Sequence, residues 1–418
     1  MDVRIRKSNL KGDIVVPPSK SLSHRMLLAS SLSKNPSTVS NLIFSEDINA
    51  TISCLSKLGS KFSIHDSSVT IEKCAIEGGV LDASESGSTL RFLIPVSISL
   101  TSRVEFIGRG KLPQRPLGIY FDIFDKQNIA YEKGIDELPL KINGRLKSGE
   151  FHIPGDISSQ FITGLLYALP LLDGDSKIII TTNLESKGYV DLTLDTLNIF
   201  GIKIINNDYK EFIIPGNQEY KAVPTVVEGD FSQAAFFLVA DALGADLNLL
   251  NMNKDSHQGD KEIIDFLRKM GIECLVTDEK IKAFAGNSKG TVIDLAQAPD
   301  LGPIITVLAA LSEGKTEIIH ASRLRIKECD RIKAITTELN KLGARIKETD
   351  DGMIIEGVKM LHGGTVDSWN DHRIAMSLAI ASLKTEGDIV IKNAQCIKKS
   401  FPHFFKVLES VGGDISYE

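Results

Sequence analysis

The chain has 418 residues, 42% hydrophobic and 24% charged, with 14 prolines; this is the composition of a globular protein of two to three domains, and it excludes disorder, collagen and coiled coil. Its 48 basic and 54 acidic side chains give a net charge of −6, which argues against a nucleic-acid backbone binder and leaves room for a local basic cleft that suits a small anion. Five cysteines with no C-x-x-C pair support neither a disulfide framework nor a zinc site, and neither the polar N-terminus nor the apolar run 161–172 suits a signal peptide or a bilayer span, so a reducing cytoplasm is the expected compartment.

In chain order, a hairpin-like segment at 3–16 is followed by a polar helix cap at 19–21, a second helix ending at Leu55-Ser-Lys-Leu-Gly59, and a strand pair. This order recurs. Further caps stand at 87–89, 158–160, 230–232, 300–303 and 370–373, and further helix ends at Asn128, Gly201, Gly271, Gly343 and Gly412, at spacings of 69 to 73 residues. Asn128 fits because Asn is the usual substitute for Gly where a helix ends in a left-handed residue. The sixth copy lacks a hairpin mate, so the N-terminal strands are expected to complete it. The reading is a two-domain α/β fold of six helix/hairpin units of about 70 residues, three per domain, with domains at 17–227 and at 1–16 plus 228–418. In pseudo-threefold packing, three helix N-termini per domain emerge on one face. Two such faces opposed across an interdomain cleft would trap an anion.

Chemistry is expected where the repeats differ. The first cap, Pro17-Pro18-Ser19-Lys20-Ser21-Leu22-Ser23-His24-Arg25, places two cations around hydroxyls, as an anion site or simply a capped helix would. Glu85-Ser86-Gly87-Ser88-Thr89-Leu90-Arg91 precedes the loop Gly108-Arg109-Gly110-Lys111-Leu112-Pro113-Gln114-Arg115-Pro116, where cations gather without an acid. Ser158-Ser159-Gln160 supplies neutral donors. Between Arg323 and Arg331 the sequence predicts a helix start with Lys327 and Arg331 one turn apart and Glu328 between them, either a site or a salt-bridge network. Asn370-Asp371-His372-Arg373 and Lys399 add cations. Gly314-Lys315-Thr316 is no P-loop, because Ala309 occupies the earlier glycine position.

These residues resemble, in family order, the 5-enolpyruvylshikimate-3-phosphate synthases: Pro18-Ser19-Lys20-Ser21 with Arg25, Gly87 with Arg91, Arg115-Pro116, Ser158-Ser159-Gln160, Ser186 with Tyr189, Lys327-Glu328 with Arg331, Asn370-Asp371-His372-Arg373, and Lys399. The resemblance covers essentially the whole chain. It implies an inside-out α/β fold and the transfer of the enolpyruvyl group of phosphoenolpyruvate to the 5-hydroxyl of shikimate 3-phosphate, with release of phosphate. By family position Lys20, Ser21, Arg25, Ser158, Ser159, Gln160, Ser186, Asp300, Arg323 and Lys327 would hold shikimate 3-phosphate. Lys20, Gly87, Arg115, Gln160, Arg331, Arg373 and Lys399 would hold phosphoenolpyruvate, with His372 adjacent. Asp300, Glu328 and Lys20 would carry the proton transfers. Neither a metal nor an organic cofactor is implied, nor a nucleic-acid or membrane partner, and the expected state is a monomer. Glu85 stands where many members of the family have Asn, and Arg323 where some do, so these two depart from the common family pattern. The nearest alternative, a UDP-N-acetylglucosamine enolpyruvyl transferase, is usually marked by a loop Cys or Asp that 108–116 lacks; a non-catalytic phospho-ligand binding protein is the other.

Overall fold

The computed structural model describes residues 1–418, and its chain divides into two compact units, Lys20–Val227 and Met1–Ser19 with Glu228–Glu418. Six four-stranded sheets are formed, three in each unit. One repeat illustrates all. Strand Gly79–Asp82 leads into helix Gly87–Leu100, and strand Arg103–Ile107 returns parallel to the first. Helix Gly118–Gln127 follows, and the hairpin strands Ala130–Lys133 and Leu140–Asn143 complete the sheet. The parallel pair needs a crossover, and the first helix supplies it. Each second helix stops at a residue of positive φ: Gly59, Asn128, Gly201, Gly271, Gly343 and Gly412, from 56° at Asn128 to 103° at Gly412. A side chain there would strain the backbone, which is why five of the six are glycine.

The helices lie inside and the sheets outside. Lys20–Leu32, Gly87–Leu100 and Ser159–Ala168 are buried along most of their length in one unit, as are Phe231–Ala242, Gly302–Ala310 and His372–Ala381 in the other. The last five are accordingly apolar on nearly every face, whereas Lys20–Leu32 also buries Ser23, His24, Arg25, Ser30 and Ser31. Strands such as Leu140–Asn143 alternate buried and exposed residues, so each sheet covers the helices with one face and meets solvent with the other. No helix is long and apolar enough to cross a membrane.

Two departures from the repeat occur where the chain passes between units. Lys11–Val15 precedes the helix Lys20–Leu32 in sequence, yet it pairs in parallel with Asp246–Leu250. Thr225–Val226 precedes Phe231–Ala242 but pairs in parallel with Ser37–Ser40. At each passage the leading strand therefore stays in the unit that the chain is leaving. The segment 3–16 is consequently not a hairpin. Val3–Arg6 inserts between Thr385–Lys392 and Asp414–Tyr417, completing the last sheet, while Lys11–Val15 joins another. Residues 17–19 also stay with the C-terminal unit, because the Ser19 N–H donates to the Glu228 carbonyl at 2.8 Å and the Asp230 N–H to the Pro17 carbonyl at 2.8 Å.

Candidate active site

Within Lys20–Val227, the start of helix Gly87–Leu100 is built around a proline. Pro95 has no N–H to offer the Arg91 carbonyl four residues earlier. The Tyr120 hydroxyl donates to that buried oxygen instead, at 2.5 Å. A Cβ on Gly164 would lie 2.5 Å from the same oxygen, so only glycine lets helix Ser159–Ala168 approach this closely. Arg91 is held in consequence: its guanidinium donates to Gln160 Oε1 at 2.8 Å and to the Pro116 carbonyl at 3.2 Å, and lies 4.9 Å from the centre of the Phe161 ring. Gln160 in turn donates to Ser88 Oγ at 3.0 Å. Arg115 lies against the bare backbone of Gly87, where a Cβ would meet its Nη1 at 2.7 Å. Gly87, Ser88, Arg91, Arg115 and Gln160 thus form one cluster at the helix start.

The first cap folds beside a different partner set. Lys20 Nζ meets Asp47 Oδ2 at 2.8 Å. Arg25 is buried and donates to Thr193 Oγ1 at 2.9 Å and to the carbonyls of Ser21 and Tyr189, each at 2.8 Å. Burial lowers its pKa to about 10, so it remains charged at neutral pH. His24 is buried against Thr51 Oγ1 at 2.7 Å, and burial with the charges of Lys20 and Arg25 pushes it well below the usual histidine range. It is a neutral structural side chain. Ser158 caps its helix through the Gln160 N–H at 3.3 Å, Ser159 is buried behind it, and Ser186 sits at φ 55° before helix Lys187–Ile199.

In the other unit the cations converge on one carboxylate. Asp300 Oδ1 accepts from Arg331 Nη1 at 2.9 Å and faces Lys327 Nζ at 3.2 Å, while Oδ2 accepts from Arg373 Nη2 at 3.0 Å. Burial works to raise the Asp300 pKa, but Arg373, Lys327 and Arg331 outweigh it and hold the group well below the usual carboxylate range. Arg331 also donates to Glu328 Oε2 at 2.6 Å and, through Nε, to Asp371 Oδ2 at 2.7 Å. Burial opposes its charge, and Asp371, Glu328 and Asp300 together raise its pKa well above the ordinary value. Lys399 Nζ donates to the Asn370 carbonyl at 2.7 Å.

Some expectations need correction. Lys327 does not open a helix: Asp330 is the cap of helix Arg331–Lys341, and Lys327 is extended after the turn Ser322–Ile326. It still faces Asp300, because the turn rather than a helical face delivers it. Arg323 spends one guanidinium nitrogen on the Ala296 carbonyl at 2.5 Å, and its charge lowers the Lys327 pKa in addition to the larger effect of burial. Three carboxylates have roles that no sequence pattern marks. Asp47 carries no local signal. Asp371 is legible as a helix cap but not as the anchor of Arg331. Asp260, buried and hydrogen-bonded by the Ser232 hydroxyl, has a pKa pushed up to about 6 by burial and by Asp300.

A family model described as EPSP synthase (3-phosphoshikimate 1-carboxyvinyltransferase) matches residues 5–408. The chain is 52% identical to a 3-phosphoshikimate 1-carboxyvinyltransferase of Clostridium novyi (strain NT), and 51% identical to one of Clostridioides difficile (strain 630). In each case the match covers 99% of this chain and 98% of the relative. Among solved structures, an EPSP synthase from Acinetobacter baumannii superposes with a TM-score of 0.82 at 26% identity, over 100% of both chains. With a family match across nearly the whole length and curated relatives at half identity, the chain belongs to the EPSP synthase (3-phosphoshikimate 1-carboxyvinyltransferase) family.

Proposed function

We propose that this protein transfers the enolpyruvyl group of phosphoenolpyruvate to the 5-hydroxyl of shikimate 3-phosphate, releasing phosphate, and that it does so as a cytoplasmic monomer. The observation that carries the assignment of residues is the convergence of Lys327, Arg331 and Arg373 on Asp300. Two phosphates and two carboxylates bring at least four negative charges, and buried arginines pre-oriented by carboxylates bind them without reorganising. Arg331, Arg373, Lys399, Arg115, Lys20, Gly87 and Gln160 hold phosphoenolpyruvate in this reading. Lys20, Ser21, Arg25, Ser158, Ser159, Gln160, Ser186, Asp300, Arg323 and Lys327 hold shikimate 3-phosphate. Arg25 keeps its place through its internal bonds and contributes charge at the helix start.

Forming the carbon–oxygen bond requires a proton on the methylene carbon and removal of the hydroxyl proton. Glu328, fixed by Arg331, serves the methylene, and Asp300 and Lys20 serve the hydroxyl. Asp300 is a weak base while three cations face it; substrate anions drawing on those cations raise its basicity when the reaction needs it. Phosphate release measured with phosphoenolpyruvate plus either shikimate 3-phosphate or UDP-N-acetylglucosamine tests the reading. Release with the first acceptor alone supports it, and release only with the second, or with neither, overturns it.

A further inference from the structure

The segment between strand Leu361–Asp367 and helix His372–Ala381 contains two consecutive non-glycine residues in the left-handed region, Trp369 at φ 53° and Asn370 at φ 54°. Such a conformation persists only where the surroundings over-determine it. Here the restraint comes from Glu338 on helix Arg331–Lys341. Its side chain is 1% exposed, an expensive place for a carboxylate unless every lone pair is used. One oxygen accepts the Trp369 indole N–H at 2.7 Å, the other accepts the Asp367 N–H at 3.0 Å, and Lys341 Nζ donates to both. The Trp369 N–H closes onto Asp367 Oδ1 at 2.6 Å, and the Asn370 N–H donates to Ser368 Oγ at 3.2 Å.

The turn delivers two groups on its far side. The Asn370 carbonyl receives Lys399 Nζ at 2.7 Å, and the next residue, Asp371, receives Arg331 through Nε at 2.7 Å and Nη2 at 3.3 Å. If the turn relaxed to a right-handed conformation, the carbonyl would point elsewhere and the Asp371 carboxylate would move with it. Buried charge and backbone strain are thus both concentrated on a turn whose outputs are an ammonium and a guanidinium.

We propose that Glu338 and Trp369 are positioning residues for phosphoenolpyruvate, holding the turn that aims Lys399 and Arg331. The inference rests on the reading above that those two cations bind phosphoenolpyruvate. Trp369→Phe keeps most of the ring and removes the N–H donor. The expected result is a KM for phosphoenolpyruvate raised roughly tenfold in Trp369→Phe, a loss of about 1.4 kcal/mol, with the KM for shikimate 3-phosphate within about twofold of wild type.

Trp369 is the chain's single tryptophan, so its fluorescence reports on this turn without interference from another indole. In Glu338→Gln saturated with shikimate 3-phosphate, the titration midpoint for an anionic phosphoenolpyruvate analogue is expected to shift by a similar factor. Thermal midpoints of all variants establish that they are folded. Wild-type protein inactive with both substrates would refute the functional reading instead. With wild type active, an unchanged phosphoenolpyruvate KM in folded Trp369→Phe overturns the proposal, as does an equal rise for both substrates.

Discussion

Replacing Gly87 by alanine separates the stability of the helix start from its use in binding. Gly87 is the first residue of its helix and has no positive φ, so the backbone accepts a Cβ. Removing glycine from a helical position favours folding by up to ~1 kcal/mol. The new methyl would meet Arg115 Nη1 at 2.7 Å, whereas ordinary contact begins at 3.4 Å. The guanidinium must therefore retreat by about 0.7 Å, at the end of a flexible side chain. A charge-assisted hydrogen bond of about 2.8 Å to a ligand oxygen would lengthen to ~3.5 Å, beyond useful range. Losing one such bond costs about 1.5–3 kcal/mol. The KM for phosphoenolpyruvate is thus expected to rise roughly ten- to hundredfold, while the denaturation midpoint stays level or rises and the KM for shikimate 3-phosphate changes little. Steady-state kinetics with each substrate varied in turn, together with urea denaturation, provide the test. A folded Gly87→Ala enzyme with wild-type phosphoenolpyruvate KM would refute the assignment of Arg115 to that ligand.

Three further outcomes are expected. Glu328→Gln keeps size and a hydrogen-bonding end but cannot cycle a proton, so in heavy water both turnover and deuterium entry into the vinyl group should collapse while shikimate 3-phosphate binding survives; wild-type exchange would leave Glu328 only a partner of Arg331. Tyr120→Phe leaves the buried Arg91 carbonyl without its donor and should cost about 1–3 kcal/mol in urea denaturation; a loss below ~0.5 kcal/mol would mean that another group satisfies that oxygen. Asp241 accepts the Leu247 N–H at 2.8 Å and the Ala283 N–H at 3.2 Å, yet burial raises its pKa from 3.8 to about 7. Because the folded pKa lies above the unfolded one, its contribution penalises folding progressively from about pH 4 to pH 7, by ~4 kcal/mol at most. Asp241→Asn should flatten the fall in stability between about pH 4 and pH 7, and an unchanged pH profile would refute this.

The period and content of the repeats are legible in the order of residues alone. Helix starts and stops are local chemistry: Ser86, Ser158, Asp230 and Asp371 accept N–H groups two or three residues onward, and Gly or Asn takes the left-handed position one or two residues after the last helical residue. Cation-rich caps were legible for the same reason, since each is a short contiguous string. What decided strand partners was tertiary. Lys11–Val15 and Thr225–Val226 have no local feature that distinguishes the sheet of the following helix from that of another, because a strand offers the same backbone groups to any edge. The carboxylates that hold the cations were hidden likewise. Lys20 finds Asp47 after 27 residues, Arg331 finds Asp371 after 40, and Arg373 finds Asp300 across 73. A buried charge needs a counter-charge within a few ångströms, but nothing in a linear pattern says which of 54 acidic residues the packing of helices will bring there.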